Sequence, residues 1–113
     1  MEQQFQKLKE YLSMDTEISF EEFEAYYKDV IGYLQQNYQE MDQPALIKAR
    51  YITSIVAANA YDRARRKGPQ HKKYRKMAEK CEFWSEAIKY RLLKEGLTEA
   101  QLEEAEQKLS EAV

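Results

Sequence analysis

The sequence predicts an all-α fold, and three observations support this prediction. The 113 residues include only three Gly and two Pro, too few turn residues for an all-β chain. Glu, Gln, Lys, Ala and Leu, which favour helices, dominate the composition. Apolar residues recur at spacings of three and four, as on the buried side of a helix. We therefore expect a single domain over residues 1–113, an antiparallel helical bundle of three long helices plus a short helix at each terminus.

The first two helices are predicted from one apolar stripe each. The first covers Glu2–Leu12, and the second follows Ser19, which has a Glu three residues on and so forms a capping box. Tyr26 and Tyr33 lie beside the second stripe, so with nearby Ile31 we expect them to pack against the first helix or a partner subunit. The second stripe comprises Phe20, Phe23, Tyr27, Val30, Leu34, Tyr38 and Met41.

The third helix is predicted over Gln43–Lys67, because Asp42 can cap it and Pro is tolerated in a first turn. It is apolar on two opposite sides, which indicates a central helix enclosed by its neighbours. Asn59 is expected to point inward as a hydrogen-bonded core amide. One stripe comprises Ala49, Ile52, Val56 and Ala60, and the other comprises Ile47, Tyr51, Ile55 and Ala58.

Gly68-Pro69 ends the third helix, because Gly can adopt the left-handed conformation and Pro cannot continue a helix. The fourth helix is predicted over Gln70–Glu95 and the fifth from the Thr98 capping box to about Ala112. The apolar stripe of the fourth helix comprises Tyr74, Met77, Cys81, Trp84, Ile88 and Leu92.

Charge is strongly segregated along the chain, although the net charge is only -2. Residues 1–43 carry ten acidic and three basic side chains, residues 44–80 carry two and eleven, and residues 81–113 carry eight and four. The three blocks therefore have net charges of -7, +9 and -4. This pattern makes the basic turn around Gly68-Pro69 the most distinctive chemical feature of the sequence.

The two halves of this basic turn differ physically. Cations that end a helix suit the negative end of its dipole, whereas cations that begin the next helix oppose the dipole and lie beside amide groups that bind anions. Either an acidic segment of the same chain or an external anion could neutralise the second half. In an up-down-up bundle the start of the second helix lies at the same end, and the fifth helix heads back toward it. These two segments carry the acidic residues Asp15, Glu17, Glu21, Glu22 and Glu24, and Glu103, Glu104, Glu106 and Glu111. The candidate anion-binding or partner-binding residues are Arg63, Arg66, Lys67, Lys72, Lys73, Arg75 and Lys76.

No catalytic, cofactor-binding or metal-binding pattern accompanies the basic turn. His71 is the only histidine, and Cys81, the only cysteine, lies on a predicted buried stripe. We therefore expect a protein that is not an enzyme and needs no cofactor or metal. A lone cysteine and the lack of a signal-like start predict a cytoplasmic protein, and no apolar run is long enough to span a membrane.

Two functional hypotheses follow. The first is a non-catalytic protein that associates with another macromolecule, either a protein partner or a second copy of itself as a homodimer. The alternative is binding of nucleic acid or another polyanion through the basic helix-turn-helix tip at residues 63–76.

Overall fold

The computed structural model describes all 113 residues and confirms the all-α prediction. None of its helices combines the length and the apolar character that a membrane crossing requires. The elements are α1 (Glu2–Leu12), α2 (Phe20–Asn37), a 3-10 turn (Tyr38–Glu40), α3 (Gln43–Arg65), α4 (His71–Lys94) and α5 (Glu99–Glu111).

The N-terminal capping residues lie where the sequence places them, but the capping box predicted at Ser19 is only half formed, because the Glu22 carboxylate accepts from the Tyr11 hydroxyl instead of the Ser19 amide. The Ser19 hydroxyl accepts a hydrogen bond from the amide of Glu22 at 3.1 Å, and the Asp42 carboxylate accepts one from the amide of Ala45 at 3.0 Å. Thr98 and Gln101 form a reciprocal capping box at the start of α5. These bonds satisfy amide groups that have no partner within the helix, and so the helix starts follow from local sequence.

The second helix is shorter than predicted, because α2 ends at Asn37 and a 3-10 turn replaces its last turn. Arg91 of α4 explains this end: its guanidinium donates to the backbone carbonyl groups of Tyr38 and Met41, the latter at 3.0 Å. It also lies 4.9 Å from the centre of the Tyr38 ring. A cation from α4 thus stabilises backbone carbonyl groups just after the end of α2.

Helices α3 and α4 form the centre of the bundle as an antiparallel pair. At about 1.5 Å per residue, their 23 and 24 residues span most of the 43 Å long axis. Small side chains allow this pair to pack closely, and the hydroxyl groups of Ser54 and Ser85 hydrogen-bond across it at 2.9 Å. The buried small residues are Ala49, Thr53, Ala57 and Ala60 on α3 and Ala78, Cys81 and Ser85 on α4.

Helix α2 is held further away by a layer of aromatic rings. The rings of Phe20 and Phe23 each meet the ring of Tyr74 edge to face at 5.3 Å, and Tyr38 meets Trp84 in the same way. Such pairs are preferred geometries for aromatic side chains. These contacts place the start of α2 beside the start of α4, as the predicted up-down-up order requires.

The short helices cover the remaining sides. Tyr26 and Ile31 are buried, and the Tyr26 hydroxyl donates to the backbone carbonyl of Gln4 at 2.7 Å. Of the two predicted alternatives, the first helix or a partner subunit, this side of α2 therefore packs on α1. Helix α5 is held against α3 by an ion pair between Arg50 and Glu106 at 2.5 Å. Burial raises the pKa of the Glu106 carboxyl, with Arg50 opposing that effect.

The prediction for Asn59 is wrong. Its side chain is exposed and donates to the Ile55 carbonyl at 2.9 Å, within its own helix. At 3.6 residues per turn, position 59 lies about 90° from the middle of the buried side of α3. It therefore lines a cleft of about 280 Å³ beneath residues 14–18 instead of entering the core.

Candidate macromolecule-binding surface

The basic turn is divided between two environments, and its α3 half is bound to the protein itself. The Arg66 guanidinium donates to both carboxylate oxygens of Glu17 at 2.6 Å and to Asp62 at 2.7 Å. The hydrogen bonds from Arg66 hold the pKa of the Glu17 carboxyl below its usual range. A forked guanidinium suits this two-pronged recognition of a carboxylate. Arg66 is therefore already neutralised.

Arg63 is a structural residue at the centre of this end of the bundle. It is half-buried, and its guanidinium donates to the Ile18 carbonyl and to the Tyr74 hydroxyl, both at 3.0 Å. The same group lies 4.6 Å from the centre of the Phe23 ring, a cation-π contact. Arg63 thus joins the α1–α2 loop, α2 and α4, and we do not assign it to the binding surface.

The cations in the α4 half of the turn form no ion pair with a carboxylate of the protein. No carboxylate oxygen lies within 4.0 Å of a side-chain nitrogen of six cations, which are Lys67 just after α3 and five residues in the first half of α4. All are exposed, and two of them lie near an aromatic ring: Lys73 is 5.5 Å from the centre of the Phe20 ring and Lys80 is 5.9 Å from that of Phe83. We call Lys67, which follows the end of α3, together with the exposed cations in the N-terminal half of α4 the basic segment: Lys67, Lys72, Lys73, Arg75, Lys76 and Lys80.

The acidic groups that topology brings to this end are used elsewhere. Glu22 accepts a hydrogen bond from the Tyr11 hydroxyl at 2.9 Å, Glu24 pairs with Lys28 at 3.8 Å, and Glu21 forms no ion pair. Helix α5 has 13 residues, so at about 1.5 Å per residue it is too short to reach the basic turn. Of the acidic residues predicted to neutralise the basic turn, only Glu17, in the loop before α2, forms an ion pair with it, through Arg66.

Two large aromatic side chains lie exposed on the same helix. Phe83 is 59% exposed and Tyr90 is 68% exposed, and both lie opposite the buried side of α4. Each ring is approached only loosely by a lysine of its own helix, Lys80 and Lys94, at 5.9 Å. We call the basic segment and these two rings together the outer face of α4. Sequence reasoning missed Phe83 and Tyr90, although their seven-residue spacing is out of phase with the buried stripe.

The single histidine and the single cysteine lie in different environments. His71 is exposed, and its Nδ1 lies 2.9 Å from the Gly68 carbonyl of the turn. Cys81 is fully buried, and burial raises the pKa of its thiol to about 12. No group of three potential metal-binding side chains occurs in the structure.

The state of Cys81 leads to a direct prediction. Because the thiolate is the reactive form and a pKa of about 12 leaves almost none at pH 8, we expect thiol reagents to label the native protein at least about 100-fold more slowly than the urea-unfolded chain. Labelling followed at 412 nm with an aromatic disulfide measures both rates. Similar rates in the two states would contradict the buried position.

Comparisons of the chain with protein-family models, with curated proteins and with solved structures find no match. The fold and the surface define a small five-helix protein with a basic and aromatic face on α4.

Proposed function

We propose that this protein acts without catalysis, by associating with another macromolecule through the outer face of α4. The observation that carries the proposal is the basic segment, whose six exposed cations include four in the first turns of a helix and have no carboxylate partner. Cations at the start of a helix destabilise it, because they repel one another and the positive end of the helix dipole. Their lack of a carboxylate partner, beside the neutralised Arg66, supports a counter-charge supplied by another molecule.

The exposed rings give this surface a second component. Aromatic residues are enriched where proteins bind one another, whereas two large rings more than half exposed on one helix face contribute little to the stability of an isolated chain. Phe83 lies one turn beyond Lys80 along α4 and borders a shallow groove whose other lining residues are Lys76, Glu79 and Lys80. Charge and apolar area are therefore contiguous, as in the polar rim and apolar centre of an interface.

Site-specific photo-crosslinking tests the proposal in cells that make the protein. A photoreactive phenylalanine analogue is placed at position 76 or 83, and at exposed position 35 on α2 as the matched control. We expect discrete crosslinked species from positions 76 and 83 and none from position 35. Equal or absent crosslinking at all three positions would overturn the proposal.

Nucleic-acid binding is the second candidate function, and the unpaired cations of the basic segment favour it specifically. Lysine and arginine contacts to phosphates release counterions, so such binding is strongest at low salt. Fluorescence anisotropy with labelled DNA and RNA at about 50 mM and about 200 mM salt tests this. Binding that weakens steeply between the two salts supports the candidate, and no binding at about 50 mM removes it.

A further inference from the structure

The cleft beneath residues 14–18 has the size of a small-molecule site. Its volume is about 280 Å³, and its walls come from α1, α2, α3 and the loop between α1 and α2. This volume lies close to the lower end of the range for such sites, about 300 to 1,000 Å³, and it is too small to admit a helix about 10 Å wide. No residue of α4 lines the cleft, so what binds there is independent of the proposed function.

The walls of the cleft are mostly apolar. Leu8 and Val56 line it as buried residues of the core. Leu12 and Met14 also line it, although they are 44% and 48% exposed. Covering exposed apolar side chains of this size is favourable, because it removes apolar area from water. The cleft and its two exposed wall residues therefore suit an occupant with an apolar body.

Arg63 adds a positive charge to these apolar walls. It is half-buried, and no carboxylate oxygen lies within 4.0 Å of its guanidinium. Its Nη1 donates to the Ile18 carbonyl and the Tyr74 hydroxyl, whereas its Nε is buried without a partner and its Nη2 donates no hydrogen bond within the protein. A guanidinium can bind both oxygens of a carboxylate through two neighbouring N–H groups. Arg63 therefore keeps one side on which it can bind a carboxylate.

The two acidic residues that line the cleft do not neutralise Arg63. Both carboxylate oxygens of Glu17 accept hydrogen bonds from Arg66, and Arg63 influences the pKa of Glu17 less than Arg66 does. Asp15 is exposed and forms no ion pair, so solvent screens its charge. Asp62, also near this end of α3, pairs with Arg66 at 2.7 Å. The half-buried cation of the cleft is thus without a carboxylate of its own.

We infer that the cleft binds a small amphipathic carboxylic acid, with its apolar chain between α1 and α3 and its carboxylate at Arg63. The chain covers Leu12 and Met14, and the carboxylate accepts hydrogen bonds from the unpartnered nitrogen atoms of the guanidinium. Such charge-assisted bonds are stronger than neutral ones, and more so where apolar walls exclude water. A neutral or cationic molecule of the same shape leaves Arg63 without a counter-charge and binds more weakly.

Three probes that share one alkyl chain test the inference: octanoate, octanol and octylammonium. At about pH 7 they are anionic, neutral and cationic respectively. In two-dimensional NMR spectra of the isotope-labelled protein, we expect octanoate to shift the amide signals of residues 14–18 and the Nε–H signal of Arg63 with a Kd of about 1 mM or tighter. Octanol and octylammonium should bind about tenfold or more weakly. No saturable shift at these groups up to about 10 mM octanoate, or equally tight binding of either other probe, would overturn the inference.

A blocked cleft gives a second test, with Asn59→Trp as the variant and Ala58→Trp as its matched control. Both positions are exposed on α3, but only Asn59 lines the cleft. We expect Asn59→Trp to weaken octanoate binding about tenfold or more and Ala58→Trp to leave it within about threefold of the wild type. Circular dichroism checks that both variants stay helical. Unchanged octanoate binding in a folded Asn59→Trp variant would overturn the inference, and if this variant does not fold, the three probes on the wild-type protein decide alone.

Discussion

Replacing Lys72, Lys73 and Lys76 together with Glu is expected to reduce crosslinking from position 83 to any anionic partner by about tenfold or more. The three cations lie without carboxylate partners at the start of α4, so their reversal places a negative cluster where the partner's negative charge must bind. Like-charge contacts across an interface cost far more than the loss of a single pair. Crosslinking yield in cells, normalised to protein amount, measures the effect.

A matched control separates local charge from net charge. Lys7, Lys28 and Lys108 are exposed, each pairs with a glutamate three or four residues away on its own helix, and none lies on α4. Replacing these three with Glu changes the net charge by the same amount. We expect this control to keep crosslinking near the wild-type level, and an equal loss in both variants would contradict a specific role for the basic segment.

Replacing Arg63 with Ala is expected to give the largest loss of stability among these variants. Its guanidinium joins the Ile18 carbonyl and the Tyr74 hydroxyl and lies over the Phe23 ring. Hydrogen bonds to a charged group contribute about 1.5 to 3 kcal/mol and a cation-π contact about 0.5 to 1 kcal/mol. We expect the free energy of unfolding to fall by about 2 to 4 kcal/mol, measured by urea titration.

Arg65 provides the control for Arg63. Its side chain is 77% exposed and lies 3.9 Å from the Asp62 carboxylate, near the limit for an ion pair. An exposed pair of this kind contributes between about 0 and 1 kcal/mol. Arg65→Ala should therefore change stability by less than about 1 kcal/mol, and losses of equal size at the two positions would show that Arg63 is not the structural residue described.

Most helix boundaries could be predicted from the sequence because their causes are local. A capping hydroxyl at Ser19 or Thr98 and a glycine at Gly96, which has a φ of 107°, act within a few residues. The end of the third helix is an exception: α3 ends at Arg65, Arg66 is extended, and Gly68 does not have a positive φ, so the prediction of a left-handed glycine after Lys67 is wrong. The end of α2 could not be predicted, because Arg91 reaches its carbonyl groups from a distant helix. Local patterns contain no information about such a contact.

The sequence predicted the basic part of the candidate surface but not its ion pairs or its exposed rings, because these depend on contacts between distant segments. Helix direction alone brought an acidic segment near the basic turn, but only the path of the loop decided that Glu17 binds Arg66 and that Glu21 binds no cation. The exposure of Phe83 and Tyr90 depends on which sides of α4 its neighbours cover. Sequence periodicity marks the buried side of a helix more clearly than it marks an uncovered one.

The central claim is that the counter-charge of the basic segment lies outside the chain. The most direct test is the stability of the triple variant in which Lys72, Lys73 and Lys76 are replaced with Glu. At about 20 mM salt, surface charge effects are least screened. We predict that urea titration gives a free energy of unfolding equal to or above the wild-type value, because glutamates suit the start of a helix. A decrease of more than about 1 kcal/mol would contradict the claim, since it would exceed what loss of the Lys73 contact with Phe20 explains.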